Sequence, residues 1–280
     1  MTAKDAVRWA GEELSRAGIP DSRFEAEQLV MHICGYTLSQ ITLKSEEMSQ
    51  RKTDALESLI KKRILGQPLQ YIIGEWEFYS LPFKVGPGVL IPRADTELLV
   101  DLGVEFIGGR EGLSVIDLCA GSGAISVALD KNSGGCEIYA LEKYEEAFGY
   151  LCENIKLNKS DVKAVKEDIE NPISGEFDLI ISNPPYIRKA DVTALQKEVS
   201  FEPETALCGG EDGLYFYRVI CEKWVPKLNL GGALMVEIGF DQREEVTELF
   251  LKAGLKNVVC KKDLNGLDRV IIGTVSALSY

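Results

Sequence analysis

The 280-residue sequence is poor in several groups on which enzyme chemistry often relies. It has a single histidine, His32, set in an N-terminal helical pattern, so a histidine-based metal centre or a serine-type triad is not expected. Its seven cysteines are Cys34, Cys119, Cys136, Cys152, Cys208, Cys221 and Cys260, with no pair closer than thirteen positions. That spacing contains no Cys-x-x-Cys zinc or redox motif. An odd, scattered set reads as reduced thiols, the state expected in the cytoplasm, and no metal site is expected. Apolar runs are short as well: none approaches the ~20 residues that span a bilayer. The N-terminus, Met1-Thr2-Ala3-Lys4-Asp5, lacks a signal-peptide core, so membrane attachment is not expected. Basic charge is also scarce, with 31 Lys and Arg against 44 Asp and Glu and a net charge of −13. The deficit is local. Residues 1–74 carry ten charges of each sign, whereas residues 75–280 carry 21 basic and 34 acidic side chains. A body this acidic repels phosphate backbones, which argues against DNA or RNA as the main substrate.

The first ~65 residues carry helical periodicity. Val7, Ala10, Leu14 and Ala17 form one apolar stripe. Phe24, Leu29, Val30 and Ile33 form a second, after a possible cap at Asp21 and before Gly35. A longer helix over about 49–65 turns Leu56, Leu59, Ile60 and Ile64 inward. Lys61-Lys62-Arg63 near its end suits a solvated face that complements the helix dipole. Residues 67–93 read as a linker with a small hairpin around Phe78–Val85 and a turn at Gly86-Pro87-Gly88. From residue 113 strands and helices alternate. Seven candidate strands, the last two adjacent, predict an α/β fold with a mostly parallel sheet and an antiparallel final hairpin.

Chemistry-bearing residues fall at the carboxyl ends of these strands, where open α/β sheets bind ligands. The first strand ends in Asp117 and runs into Cys119-Ala120-Gly121-Ser122-Gly123, a turn that lets backbone approach a ligand. Ser126 stands where a dinucleotide fingerprint wants a third glycine, which weakens a nicotinamide reading. Glu142 ends the second strand, about twenty residues on, where an acid can hold both ribose hydroxyls; an ordinary solvated strand-end acid is the alternative. Asp168-Ile169 follows the third strand. Asn183-Pro184-Pro185-Tyr186 follows the fourth, Leu179-Ile180-Ile181, which the prolines must end because they lack an N–H. An Asn oxygen, a fixed carbonyl and an aromatic face can together hold a planar –NH2 group, as in methyltransferases acting on amide or exocyclic amino nitrogen. The plainer reading is a proline-stiffened loop with a capping Asn. S-adenosylmethionine, with a ribose and a positive sulfonium but no phosphate, suits this acidic rim.

The chain resembles the HemK-type family of peptide chain release factor glutamine methyltransferases along nearly its whole length. The resemblance is carried by Gln67-Pro68-Leu69-Gln70-Tyr71, Val89-Leu90-Ile91-Pro92-Arg93 with Thr96-Glu97-Leu98, the 117–124 loop, Ser182–Ile187, Glu202-Pro203, Asp212-Gly213-Leu214 and Glu237-Ile238-Gly239 with Gln242. It implies a small helical domain over 1–66 that docks the substrate, a β-hairpin linker over 67–93, and a Rossmann-like seven-stranded methyltransferase domain over 94–280. It implies that a methyl group passes from S-adenosylmethionine to the side-chain N5 of the glutamine in the Gly-Gly-Gln motif of class 1 release factors, in a cytoplasmic monomer. Asn183, Pro184 and Tyr186 would then be catalytic, with Pro185, Arg93, Thr96 and Glu97 helping to bind the substrate. Asp117, Cys119, Ala120, Gly121, Ser122, Gly123, Glu142, Asp168, Ile169 and Asn183 would hold the cofactor. For Arg93, Thr96 and Glu97, a salt-bridged hinge with Thr96 as a helix cap is an equal alternative. Cys119 and Glu142 depart from the family's commoner Gly and Asp. Two other functions fit parts of the sequence: a methyltransferase acting on adenine N6 or another nucleic-acid amino group, which shares the tetrapeptide, and a non-catalytic assembly factor retaining the cofactor fold.

Overall fold

The computed structural model describes residues 1–276; the last four positions of the expected 94–280 domain lie outside the described residues. Two compact units are present, Met1–Gly74 with Gln196–Phe201, and Glu75–Leu195 with the chain from Glu202 onward. None of the described helices is long and apolar enough to cross a membrane.

The first unit is helical: α1 (Ala3–Arg16), α2 (Ser22–Cys34), α3 (Leu38–Leu43), α4 (Gln50–Ile64) and α5 (Leu69–Ile73). Thr2 and Asp5 form a reciprocal capping box that starts α1, and α2 ends at Gly35 in the left-handed region. The buried stripe of α1 is Ala3, Ala6, Ala10 and Leu14, displaced from the expected one because Ala17 is already the exposed C-cap. Phe24 on α2 and Ile64 on α4 point outward rather than inward. The inward position near the end of α4 belongs to Arg63, which is 2% exposed. Its Nε donates to Glu25 Oε2 at 2.5 Å, and its Nη2 donates to Glu25 Oε1 at 3.0 Å and to Glu198 Oε1 at 2.5 Å. Arg63 is therefore part of a core ion pair and not of the solvated face expected for Lys61-Lys62-Arg63. A planar fork that meets a carboxylate with two bonds can be buried where a lysine cannot.

The second unit opens with a hairpin, β1 (Glu75–Phe78) and β2 (Leu81–Lys84). The stretch 67–93 is thus divided between the units. Its α5 belongs to the first, while the hairpin is held in the second by backbone bonds from Tyr79 N to Glu97 Oε1 (2.8 Å) and Lys84 N to Asn154 Oδ1 (2.6 Å). There follow α6 (Glu97–Ile107), β3 (Ser114–Leu118), α7 (Ala124–Ser133), β4 (Glu137–Glu142), α8 (Glu145–Leu157), β5 (Lys163–Lys166), β6 (Phe177–Ser182), α9 (Lys189–Val192), α10 (Tyr215–Val219), β7 (Leu228–Glu237), α11 (Arg243–Lys252), β8 (Lys256–Lys262) and β9 (Asp268–Thr274). The seven-stranded sheet has the order β5-β4-β3-β6-β7-β9-β8. All neighbours are parallel except β9, which runs antiparallel to β7 and β8. This is the mostly parallel sheet with an antiparallel final hairpin expected from the alternation, and the Rossmann-like seven-stranded arrangement that the resemblance implies.

Strands in the middle of the sheet are apolar on both faces because each face is covered. Val115, Leu179, Ile181 and Met235 join one core layer, and Ile116, Ile180, Leu234 and Val236 join the other. The helical stretch before β7 is not one continuous α-helix. α10 widens into a π-helical segment, Ile220–Trp224, and tightens into a 3-10 turn at Val225–Lys227, where Pro226 has no N–H to continue the ladder. Chain order reverses direction between β3 and β6, which puts the ligand-binding crevice of such sheets at their carboxyl ends.

The ion pair generates a stability prediction. Glu25→Ala leaves the buried Arg63 with Glu198 as its one carboxylate partner beside a long bond to Gln67 O (3.5 Å), so the helical unit should lose on the order of 3 kcal/mol. Denaturant unfolding of the mutant and wild type measures this, and an unchanged midpoint would show that the pair contributes nothing net.

Candidate active site

A cavity of about 220 Å³ opens at the carboxyl ends of β3, β4, β5 and β6. Its lining includes Arg93, Thr96, Cys119, Ala120, Gly121, Ser122, Glu142, Asp168, Ile169, Asn183 and Pro185. The structure thus brings together most of the residues singled out in the sequence. Leu90, Lys143, Tyr144, Pro203, Tyr215 and Phe216 also line the cavity, and sequence reasoning did not place them there.

The loop after β3 is built around two carboxylates. Glu142 Oε2 accepts from Gly121 N at 2.9 Å and Oε1 from Tyr144 N at 2.8 Å. Each oxygen keeps further acceptor capacity. Burial raises the Glu142 carboxyl above its usual range, against the pull of these N–H groups. Asp117 lies beneath the loop, fully buried, and is not in the lining. Its Oδ2 accepts from Ser126 N at 3.1 Å, while Oδ1 has no hydrogen-bond partner among the described residues. Burial pushes its carboxyl up to about 7, opposed by the bond from Ser126 and aided by the charge of Glu142. Gly121 has φ +57°, and a Cβ there would meet nothing within 4 Å; it faces open space. Gly123 is different. It has φ +79°, and a Cβ would lie 2.5 Å from Leu151, so its role is to turn the chain into α7 against packed side chains, outside the cavity lining. Cys119 holds φ +58° without being glycine, a conformation that costs about 1–2 kcal/mol for an L-residue. Asn154, fully buried on α8, braces the same loop by donating to Ser122 O at 2.9 Å; a lone Asn in a helical pattern gave no sequence signal.

In the loop after β5, Asp168 lines the cavity but is engaged by Lys143 at 2.7 Å and by the Glu170 amide at 3.0 Å. Ile169 is anchored through its carbonyl, which accepts from the buried Trp224 indole at 2.8 Å.

The Asn183–Tyr186 segment leaves β6 as the prolines require. Asn183 Nδ2 donates to Thr96 Oγ1 at 3.1 Å, and Thr96 Oγ1 donates to Glu237 Oε2 at 2.6 Å. Pro184 is buried behind the wall of the cavity. The Tyr186 hydroxyl turns inward to Glu237 Oε1 at 3.4 Å, and burial drives its pKa far upward. Neither Pro184 nor Tyr186 is in the lining. Arg93 pairs with Glu202, which also accepts from Ile91 N at 3.0 Å. Glu97 is displaced from the expected role. Its carboxylate holds Tyr79 N of the hairpin and does not line the cavity, because it sits one residue into α6 and faces the strand pair.

The tetrapeptide is also held from behind. Gln242 Nε2 donates to Tyr186 O at 2.9 Å, and Gln242 Oε1 accepts from Gly239 N at 3.0 Å. Gly209 N donates to Ile187 O at 2.8 Å. A Cβ at Gly209 would come within 2.8 Å of Pro185 O, Gly213 O and Tyr186 Cα. All three are backbone atoms. Gly209→Ala should therefore shift the tetrapeptide and lower turnover by about 10²-fold, the scale of a ~1 Å misplacement, while cofactor affinity changes little. Steady-state kinetics beside calorimetry checks this, and normal turnover would show that the segment tolerates the displacement.

Two family models match the chain: the PrmC N-terminal domain over residues 5–74 and the methyltransferase small domain over residues 96–204. The release factor glutamine methyltransferase of Thermodesulfovibrio yellowstonii is 38% identical over 253 residues, spanning 89% of this chain and 91% of that protein. The release factor glutamine methyltransferase of Geobacter sulfurreducens is 36% identical over 277 residues, spanning 98% and 97%. Among solved structures, a methyltransferase from Pyrococcus furiosus aligns with a TM-score of 0.53 at 20% identity, covering 81% of this chain and 100% of that one, a likeness of fold.

Proposed function

The chain belongs to the family of release factor glutamine methyltransferases, and from that premise we propose that its cavity transfers a methyl group from S-adenosylmethionine to N5 of the glutamine in the Gly-Gly-Gln motif of class 1 release factors. The observation that carries the reading is the meeting of Asn183 with the Glu142 loop in one cavity at the crossover of a methyltransferase sheet.

The residues fit S-adenosylmethionine. Glu142 has acceptor capacity left for a ribose diol, Gly121 leaves room for close approach, and the buried Asp117 carboxylate favours a cation nearby. Glu142, the 119–122 loop and Asp168-Ile169 are the groups that would hold it. When bound, it supplies an electrophilic methyl group on a sulfonium that departs as a neutral thioether. The protein's task is to orient a poor nucleophile, since an amide lone pair is delocalised into its carbonyl. Asn183 Oδ1, the tetrapeptide's polar group in the lining, accepts one N–H of the acceptor amide. That bond strengthens as the hydrogen becomes more acidic during attack, and one amide proton passes to solvent water once the N–C bond has formed. Pro184 and Tyr186 lie outside the lining and act by fixing the segment that carries Asn183. Thr96 lies beside Asn183, and Arg93, fixed by Glu202, borders the acceptor side. No histidine or metal has a part in this scheme.

Support for a protein rather than a nucleic-acid acceptor comes from the acidic second unit. We place docking of the release factor on the charge-neutral helical unit, where a groove lined by Arg8, Arg16, Arg23, Leu38 and Ile41 runs between helices. The working form is a cytoplasmic monomer.

The deciding experiment is incubation with methyl-labelled cofactor and either release factor or nucleic acid, followed by peptide mapping. Label on the Gly-Gly-Gln glutamine is expected, and label on nucleic acid alone would overturn the assignment. Asn183→Ala should lower kcat by at least about 10²-fold with cofactor affinity nearly kept; a folded mutant with normal turnover would remove Asn183 from the acceptor role. Combined Arg23→Glu and Leu38→Asp should lower kcat/KM for intact release factor by about tenfold or more. A short glutamine peptide should be methylated as before, and equal effects on both substrates would sink the docking surface.

A further inference from the structure

Glu237 ends β7 with 2% of its surface exposed, does not line the cavity, and has so far appeared only as the acceptor of the Tyr186 and Thr96 hydroxyls. It is nevertheless one hydroxyl away from Asn183. We infer that Glu237 is a positioning residue that, through Thr96, fixes which end of the Asn183 amide faces the acceptor. The inference rests on the reading that Asn183 accepts a hydrogen bond from the acceptor amide.

The argument depends on counting protons. A threonine hydroxyl has one proton and two lone pairs. With Oγ1 at 2.6 Å from Glu237 Oε2, and a carboxylate able only to accept, the Thr96 proton is committed to Glu237. Oγ1 then has only lone pairs to offer Asn183, so the Asn183 group facing it must be the donor. The structure has that arrangement, with Nδ2 at 3.1 Å. The carbonyl Oδ1 is left for the cavity, where an –NH2 acceptor substrate requires an oxygen. Rotating the Asn183 amide by half a turn would set two oxygens against each other, or would take the Thr96 proton from Glu237 and leave a buried carboxylate short of a donor. Either outcome is unfavourable in a buried site. The orientation of the reacting contact is thus set two residues away.

The relay has a titration built in. The groups facing Glu237 are Asp95 before α6, Tyr186 after β6, Tyr217 on α10 and Arg269 on β9, the last itself held by Asp263. Burial raises the Glu237 carboxyl to about 7. The Thr96 bond and the Arg269 charge pull it back, and Asp95 adds to the rise. When protonated, Glu237 can itself donate to Thr96. The Thr96 proton is then released toward Asn183, and the reversed amide becomes acceptable. The correct orientation is therefore enforced above about pH 7 and relaxed below it.

Thr96→Val removes the relay and leaves Nδ2 against a methyl group, so the amide should turn its donor toward the cavity. At saturating cofactor, kcat should fall by about tenfold or more, with KM and cofactor affinity changed little. Thr96→Ser, which keeps the hydroxyl, should restore most of the lost rate. The wild-type kcat should rise with pH through about 7, and that limb should be absent in Glu237→Gln and in Thr96→Val. A purely structural role would lower cofactor affinity and thermal stability in all variants and leave the limb in place, which would overturn the proposal. So would full kcat in Thr96→Val. Asn183→Ala separates the two levels. If it too is fully active, the acceptor role itself fails. If it is inactive while Thr96→Val is not, only the relay fails.

Discussion

A parallel strand must satisfy its backbone donors with its neighbours, and the chain after Ser182 cannot do so. β6 pairs with β3 up to Leu118 and Ser182, and the Ser182 hydroxyl donates to Leu118 O at 2.6 Å. Two residues later the prolines remove consecutive N–H groups. The chain leaves the sheet at the point where strand order reverses, so the segment that must depart is the one beside the crevice. The rest of the site follows from that forced exit. Asn183 is the last residue before the prolines and is fixed at the rim. Pro184 and Pro185 limit where the backbone can go. The brackets from Gln242 and Gly209 then act on a segment with little remaining freedom.

The opposite wall is more adjustable, because it is made of a loop and two carboxylates rather than of a strand end. Glu142 is both a rim acid and the tie that holds Gly121 and Tyr144, so its charge shapes the loop before any ligand arrives. Asp117 holds α7 through Ser126 and keeps one oxygen without a partner. Burying such an oxygen is unfavourable unless a hydrogen bond or a nearby opposite charge offsets it. Asp117 beneath this wall and Glu237 behind Asn183 and Thr96, each raised by burial to about 7, make the site responsive to protons near neutrality although it has no histidine.

The fold was legible because alternation of apolar strands and amphipathic helices is a local property, and glycines and prolines punctuate it. Strand ends were legible for the same reason, so Asp117, Glu142, Asp168 and Asn183 could be placed on one edge. Side-chain direction was not. Glu97 and Thr96 are adjacent in sequence, yet one serves the hairpin and the other the cavity, since neighbouring residues on a helical turn point roughly 100° apart. Arg63 reads as part of a basic cluster until a carboxylate from another helix is seen beside it. Asn154, Glu202 and Glu237 act through partners 32 to 141 positions away, and no window of sequence carries that information. The divided 67–93 stretch has a similar cause: a hairpin looks like a linker until the side chains that grip its backbone are known.

Cys119 raises a problem of self-damage. A sulfonium methyl is a soft electrophile, and a thiolate is the side-chain form best matched to it. The chain nonetheless places a cysteine, Cys119, among the residues that line its own methyl-donor cavity. What protects it is first its burial. Burial, and then the charges of Glu142 and Asp117, raise the thiol well above its ordinary pKa, so it remains protonated and weakly nucleophilic. The closed setting of the loop therefore keeps the cysteine from competing with the substrate for the methyl group, and the carboxylates that suit the cavity to a cationic donor add to that protection.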